Sequence, residues 1–310
     1  MRIFVAGATG AVGRRLVPRL VGSGHSVIGL TRTPAKTGFL RELGAEPVVA
    51  DALNETAIHA AIVAARPDVI VHQLTDLKGA SDLRKFDRAF ASSNRLRTAG
   101  TDYLLAAARD CGVKRMVAQS FCGWPYARVG GYVKAEDDPL DRDPPQELRG
   151  TLEAIRYLEH AVTTAPGIVG VALRYGGFYG SDTGLFDPPV IERIRRRRMP
   201  LIGGGTAWWS FLHIDDAAEA TALAVERGEG IYNIVDDDPA PVHDWLTEIA
   251  AMLGAKPPCT GMAWSPCRRA AHRRHDDTVA RGIERQGQAR IRVVAAPSIV
   301  AAGICRNHPK

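Results

Sequence analysis

The chain has 310 residues, 45% of them hydrophobic, and a formal net charge of +6. This length allows a large apolar core and predicts one main domain with a smaller lobe. The positive charge is concentrated near the C-terminus, because the residues from Cys259 onward contain ten Lys and Arg but three Asp and Glu. The rest of the chain is nearly neutral, so we expect no binding of nucleic acid.

The sequence also argues against a membrane-bound or secreted protein. No apolar run approaches the length of a membrane span, and a strand predicted from residue 2 leaves no room for a signal peptide. Five cysteines show no disulfide framework, at positions 111, 122, 259, 267 and 305. We therefore predict a reduced, cytoplasmic protein. The spacing of Cys and His near the C-terminus does not fit structural zinc, so no metal is predicted.

The N-terminus combines an apolar strand at 2–6, a glycine-rich turn and a helix at 14–21. The glycines follow the spacing G-x-x-G-x-x-G and leave room for a pyrophosphate, which the free N–H groups of the helix would bind. This context predicts a dinucleotide-binding site, with a plain tight turn as the alternative. The residues assigned to the cofactor here are Gly7, Thr9, Gly10, Ala11, Val12 and Gly13.

The next predicted elements alternate between strands and helices. Strands are predicted at 26–30, 46–50, 68–72 and 114–119, and the helices between them include 54–65 and 83–111. Such alternation indicates a Rossmann-type α/β fold, a doubly wound parallel sheet with helices on both faces. After a polar loop at 123–147, we predict a helix at 148–164, a strand at 169–175, a helix at 217–227, a strand at 230–235 and a helix at 242–253.

The end of the second strand bears on the choice of cofactor. An acidic residue at this point would bind a ribose 2′-hydroxyl, whereas an arginine pairs with a 2′-phosphate. The segment reads Leu30-Thr31-Arg32, and no acidic residue follows before Glu42. We predict NADP with Arg32 as the phosphate partner. NAD is the alternative cofactor, and a solvated surface arginine is the alternative for Arg32.

Several short motifs follow one another in a fixed order. After the glycine turn come Gln119-Ser120, the segment LRYGGFYG at 173–180, FLHIDDAA at 211–218 and Tyr232-Asn233. Together they resemble the extended short-chain dehydrogenase/reductase family, the NAD-dependent epimerase/dehydratase group, over about residues 1–255. The resemblance implies an NAD(P)-binding domain at 1–175 and a small C-terminal substrate lobe at 176–256. It also implies an oxidoreductase or epimerase acting on a hydroxyl or carbonyl of a small molecule, and it leaves a homodimer open.

The resemblance assigns two further residues. Ser120 lies at the family's catalytic Ser/Thr position, where a hydroxyl binds the reacting oxygen. Its alternative is a serine that satisfies local backbone groups at a strand end. Asp51 resembles an adenine-contacting aspartate. It could equally cap the helix that follows, although Asn54 is the better cap.

The family's acid–base pair is absent from the sequence. The family uses a Tyr and a Lys four residues later on one helix face, but no tyrosine of this chain has Lys at that spacing. Thr151 and Ile155 stand at the two positions. We predict Tyr126 as the substitute proton donor, with Tyr179 as a second candidate and Lys134 as a solvated loop lysine. A non-catalytic, redox-responsive NADP-binding regulator is the alternative function.

The substrate side departs from the family as well. Nucleotide-sugar members carry an Arg just before the segment matching Phe211, whereas this chain has Trp208 and Trp209 there. The aromatic residues predict an apolar pocket wall. The basic run at 193–198 is interpreted as a solvated helix end, with binding of an anionic substrate as the alternative. His213 and Asp215 could form an acid–base pair, but Asp215 is predicted mainly as the cap of the next helix.

The segment at 257–310 is predicted to be an atypical basic tail rather than a lobe of this family. The last Leu of the chain is Leu253, and the last Phe and Tyr come earlier, so the segment has few large groups for a core. A shifted reading frame in a GC-rich gene would give this composition. A divergent basic tail is the alternative.

Overall fold

A computed structural model describes residues 1–77, 86–130, 133–184, 187–259 and 292–293. The strands of the main sheet are, in chain order, β1 (Arg2–Ala6), β2 (Ser26–Thr31), β3 (Glu46–Val49), β4 (Val69–His72), β5 (Arg115–Phe121), β7 (Val169–Tyr175) and β11 (Gly230–Ile234). Shorter strands lie outside this sheet: β6 (Val133–Lys134), β8 (Gly177–Tyr179), β9 (Trp208–Trp209), β10 (Phe211–His213), β12 (Ala240–Pro241) and β13 (Arg292–Val293).

Helices connect most of these strands. They are α1 (Gly13–Gly22), α2 (Thr37–Glu42), α3 (Glu55–Ala65), α4 (Phe86–Ala89), α5 (Ala91–Arg95), α6 (Thr101–Asp110), α7 (Gln146–Thr163), α8 (Pro188–Arg195), α9 (Ile214–Glu226) and α10 (Val242–Met252). Two 3₁₀ segments occur at Pro34–Lys36 and Ile202–Gly205, and a π segment at Leu96–Gly100 joins α5 to α6.

Within the described part of the chain, the main sheet has the order β11-β7-β5-β4-β1-β2-β3, and every pairing in it is parallel. The predicted doubly wound Rossmann-type fold is confirmed. The short strands pair separately, β8 with β10, β9 with β12 and β6 with β13.

The sheet is parallel because its strands are apolar on both sides and are covered by helices on both faces. Along β1, Ile3 and Val5 enter a buried cluster with α1 and α9. Phe4 and Ala6 enter the opposite cluster, which α3, α6 and α7 complete. This alternation follows from successive side chains of a strand pointing to opposite faces.

Some predicted boundaries differ from the observed ones. The helix predicted at 83–111 is divided into α4, α5, the π segment and α6, and its first three residues lie outside the described ones. Asn54 caps α3 as predicted, since its Oδ1 accepts from the N–H of Ala57 at 3.0 Å. The cap predicted at Asp215 is wrong, because α9 begins earlier and the His213 Nδ1 accepts from the N–H of Asp215.

The predicted tail lies almost wholly outside the described residues. Residues 260–291 and 294–310 are not among them, and the backbone at 292–293 pairs in parallel with β6. The domain boundaries at 175 and 256 and the shifted reading frame therefore stay predictions.

Candidate functional site at the carboxyl edge of the sheet

Most of the predicted site residues lie along one edge of the molecule. Because all strands of the main sheet are parallel, their carboxyl ends meet at the same edge, where open α/β sheets bind ligands. Gly7 follows β1, Arg32 follows β2 and Asp51 lies just after β3. Ser120 is near the carboxyl end of β5, and Asp236 comes two residues after β11.

The glycine turn is crowded on its inner side and open on its outer side. Gly7 has a φ of +100°, and a Cβ there would lie 2.5 Å from the carbonyl oxygen of Gln73. A Cβ on Gly13 would overlap the carbonyl oxygen of Gly7. At Gly10, by contrast, the nearest atom to such a Cβ is the Gly7 oxygen at 3.2 Å, within the turn itself. The turn thus leaves a cradle that a side chain at Gly10 would fill.

The start of α1 fits an anionic group. In the described residues the N–H groups of Ala11 and Val12 meet no hydrogen-bond acceptor, and the first turn of α1 has no acidic residue. Free N–H groups and the positive end of the helix dipole favour a phosphate at this place. The residues present therefore fit a dinucleotide.

The two outer cofactor candidates keep their charges near solvent. The Arg32 side chain is 61% exposed and lies 3.6 Å from the Asp76 carboxylate. The Asp51 carboxylate accepts from the N–H of Leu53 at 2.9 Å, beside the Asn54 cap. Both charged groups are accessible at the edge that holds the glycine turn.

Thr151 and Ile155, the two residues predicted to stand in place of an acid–base pair, lie on α7. The Thr151 hydroxyl donates to the Asp87 carboxylate at 2.6 Å and accepts from Asn94 Nδ2 at 3.0 Å. Ile155 is buried one turn further along. Neither side chain is an acid or a base, so these two positions supply no proton.

Ser120 belongs to a group of buried side chains that satisfy one another. We call this group, Ser120, Tyr126, Glu159, Arg174 and Asn233, the buried polar network. Ser120 Oγ donates to Glu159 Oε1 at 2.6 Å, and Arg174 holds both oxygens of Glu159, at 2.8 and 2.7 Å. Burial alone lowers the pKa of Arg174, but the hydrogen bonds and charge of Glu159 raise it above its ordinary value.

Tyr126 closes the same network. It is 1% exposed, and its hydroxyl accepts from Arg174 Nη1 at 2.8 Å and donates to Asn233 Oδ1 at 2.7 Å. Burial raises the pKa of Tyr126 to about 12, against a smaller opposite effect of Arg174. This geometry does not favour Tyr126 as proton donor, although the assignment stays a prediction. The interpretation of Lys134 as solvated is wrong, since it is buried and its Nζ donates to the Val129 carbonyl.

Tyr179 lies nearer to solvent, beside other polar groups. Burial, followed by the charge of Asp236, raises its pKa to about 12. The pKa of Asp236 is also raised by burial, although the hydrogen bond from Tyr179 opposes this. The Tyr179 ring lies 5.0 Å from the ring of His213, the residue that caps α9. The sequence did not reveal Asp236, which no motif marks.

Three arginines of α1 connect the cofactor helix to this region. Arg15 donates to the Ser181 carbonyl at 2.7 Å and lies 3.1 Å from Asp215. Arg14 pairs with Asp182 at 3.1 Å, and Arg19 lies 3.6 Å from Asp215. We call these contacts the arginine clamp. They join the start of α1 to the loop after β8 and to the start of α9.

Two other findings concern the described residues as a whole. None of their helices has the length and apolar character needed to cross a membrane. They contain no group of three or more His, Cys, Asp or Glu that could hold a metal ion. The basic run at 193–198 agrees with its interpretation, since all five of its arginines are exposed around the end of α8.

Comparison with known proteins agrees with this geometry. The model of the NAD dependent epimerase/dehydratase family matches residues 3–235. A 3-diazoavenalumate denitrifying reductase from Streptomyces sp is 42% identical over 263 residues, which cover 84% of each chain.

One further relative and one solved structure are also similar to this chain. A 4-hydroxy-2-methyl-3-oxo-4-farnesyl-3,4-dihydroquinoline-1-oxide ketoreductase from Stigmatella aurantiaca is 30% identical over 281 residues, 88% of this chain and 79% of that one. The crystal structure of UDP-glucose 4-epimerase from Thermus thermophilus, in complex with NAD, has a TM-score of 0.65 and 25% identity. It covers 83% of this chain and 85% of its own.

Proposed function

Since this chain belongs to the NAD-dependent epimerase/dehydratase family and is an enzyme acting on a small molecule, we propose that it is an NADPH-dependent reductase that removes a diazo group from its substrate. The relatives that are named reductases speak against the alternative of a non-catalytic regulator. The Streptomyces relative, named for a diazo compound and for denitrifying reduction, supports this substrate class.

The observation that carries the proposal is the loss of both proton-transfer residues from α7. Thr151 and Ile155 are buried, and the Thr151 hydroxyl is fully engaged. A carbonyl oxygen needs a proton when its carbon is reduced, and an enzyme normally supplies it from a positioned acid. A site without that acid suits an acceptor that needs none.

Diazonium reduction has this property. When bound, the reduced nicotinamide supplies a hydride, so that the diazonium carbon gains hydrogen, its C–N bond breaks, dinitrogen leaves and no net proton is consumed. The side chains at the carboxyl edge then have to bind and orient the substrate and exclude water, rather than move a proton.

The cofactor would be held by the backbone and by two charged side chains. Gly7, Gly10 and Gly13 shape the turn, while Ala11 and Val12, next to Thr9, offer N–H groups to the pyrophosphate. Arg32 would pair with the 2′-phosphate and Asp51 would accept from the adenine. The exposure of the Arg32 guanidinium supports NADPH, because a phosphate can reach it.

The experiment uses the full chain with 4-carboxybenzenediazonium as substrate. The reduced-nicotinamide absorbance should fall, and benzoate should accumulate in equal amount. With NADPH deuterated at the transferred position, the benzoate should carry one deuterium. A Gly13→Val variant corrects for the uncatalysed reaction. Equal rates with this variant and with the wild type would contradict the proposal.

Reduction of a carbonyl is the second candidate, and the Stigmatella ketoreductase supports it. The predicted catalytic residues would then have to act, with Ser120 polarising the oxygen and Tyr126 giving the proton. Both would first have to release their present partners, Glu159 and Asn233. Ser120→Ala should lower kcat on a ketone far more than it weakens cofactor binding, and unchanged diazonium reduction would separate the two functions.

A further inference from the structure

Four aromatic side chains lie together beside the turn that follows β7. We call Tyr179, Trp209, Phe211 and Trp245 the aromatic platform. The Trp209 ring lies 6.0 Å from Phe211 and 5.8 Å from Trp245, and Phe211 lies 6.2 Å from Tyr179. These are tilted or edge-to-face contacts at the separations aromatic pairs prefer. The rings therefore support one another as a single surface.

Two glycines allow the platform to rest on the backbone of this turn. A Cβ on Gly177 would lie 3.2 Å from Cε3 of Trp209, and one on Gly176 would lie 2.7 Å from the Ser210 carbonyl oxygen. The N–H of Gly177 also donates to that oxygen at 2.9 Å. The indole is thus fixed against the carboxyl edge of the sheet, yet 46% of Trp209 stays exposed.

The platform is tied to the cofactor helix. The loop that begins just after Tyr179 holds Ser181 and Asp182, and both take part in the arginine clamp with α1. The first turn of α9, which directly follows the strand of Phe211, contributes Asp215 to the same clamp. The aromatic platform is therefore linked to α1 through the loop after β8 and the first turn of α9.

We propose that Trp209 is the stacking surface for a planar aromatic ring of the substrate. The inference rests on the proposed function, since it names the substrate class of the same site. The indole face can form an offset stack with an aromatic ring, whereas a saturated ring of equal size gains only the burial of its area. The stretch 207–212 has no charged residue, so it offers no cationic side chain to a phosphate or a diphosphate.

The test compares an aromatic acid with its saturated counterpart. The full chain, loaded with NADP⁺, is titrated with trans-cinnamate and with 3-cyclohexylpropanoate in a calorimeter. We expect wild type to prefer cinnamate by about tenfold, and Trp209→Leu to remove that preference. Trp209→Phe should keep most of it. Tyr157→Leu is the control, because this exposed aromatic side chain lies on α7, where its hydroxyl donates to Asp102 of α6, and it should bind cinnamate like wild type.

Several results would overturn the inference. These are equal affinities of wild type for the two acids, no binding of either, an unchanged preference in Trp209→Leu, or the same loss in Tyr157→Leu. If Trp209→Leu does not bind NADP⁺, Trp209→Met keeps the apolar bulk without the ring and should also lack the preference. The measurement needs no turnover, so a chain that stacks cinnamate but does not reduce diazonium compounds would overturn the proposed function alone.

Discussion

The two halves of the site, the glycine turn and the buried polar network, are built from different chemical groups. The glycine turn ends in two backbone N–H groups that are still free, those of Ala11 and Val12, whereas the buried polar network consists of side chains that satisfy one another. The glycine turn keeps the spacing predicted for a dinucleotide site, and the buried polar network includes Glu159 of α7, the helix on which Thr151 and Ile155 were predicted to replace an acid–base pair. The difference shows that a dinucleotide cradle depends on the conformation of the backbone rather than on particular side chains. Proton-transfer groups can disappear from the same fold without changing its frame.

The largest expected effect comes from a substitution in the buried polar network. Arg174→Met leaves the Glu159 carboxylate buried without its counter-ion, so the free energy of unfolding should fall by about 3–5 kcal/mol. Urea denaturation followed by circular dichroism measures this change. The double variant Arg174→Met/Glu159→Leu removes both charges and should regain most of the loss. A single variant as stable as wild type would show that the ion pair does not hold this half together.

The next largest effect comes from a substitution in the glycine turn. Gly13→Val places a branched side chain against the Gly7 carbonyl, so the turn must open and the affinity for NADPH should fall by at least about 100-fold. Gly22→Ala is the control in the same helix, because no atom lies within 4 Å of its added Cβ. Fluorescence titration gives both affinities. Wild-type affinity in Gly13→Val would mean that the dinucleotide binds elsewhere.

The succession of strands along the chain and the position of the cradle could be predicted from the sequence. Both depend on local signals, namely apolar runs of strand length and glycines at fixed spacing. Arg174 also carried a signal, since a charged residue inside a buried strand requires a partner. The identity of that partner, Glu159, depends on how α7 lies against β5 and β7, which no local pattern contains.

Other features could not be predicted for a related reason. The burial of Lys134 depends on contacts that lie far apart in the chain. The π segment has a composition that is ordinary for a helix. The division of the helix predicted at 83–111 therefore results from the contacts of this segment in the fold. Asp236 is brought to the site by the last strand of the sheet, and a single aspartate after a strand is not a motif.

A third variant tests whether Arg32, at the border of the cradle, selects between NADPH and NADH. Arg32→Ala should weaken NADPH binding by about 1.5–3 kcal/mol and leave NADH binding unchanged, because the charge-assisted contact is to the 2′-phosphate alone. Arg41→Ala, an exposed arginine on α2, controls for general electrostatic attraction. Equal losses for the two cofactors would assign Arg32 to the surface rather than to cofactor choice.

The smallest effect concerns Tyr126. Tyr126→Phe removes the hydroxyl between Arg174 and Asn233 and should cost about 1–2 kcal/mol of stability. Diazonium reduction should continue at the wild-type rate, since the proposed reaction needs no acid. A loss of kcat with full stability would instead support Tyr126 as the proton donor, and with it the carbonyl reaction.

The sheet order has a consequence for biosynthesis. The glycine turn rests on β1 to β4, which come from the first quarter of the chain and pair with one another. The buried polar network also needs β5, β7 and β11, and β11 ends at Ile234. The N-terminal part is synthesised first, so the residues of the glycine turn would leave the ribosome long before those of the aromatic platform. Binding of the dinucleotide to a nascent chain could then precede, and stabilise, the closing of the site.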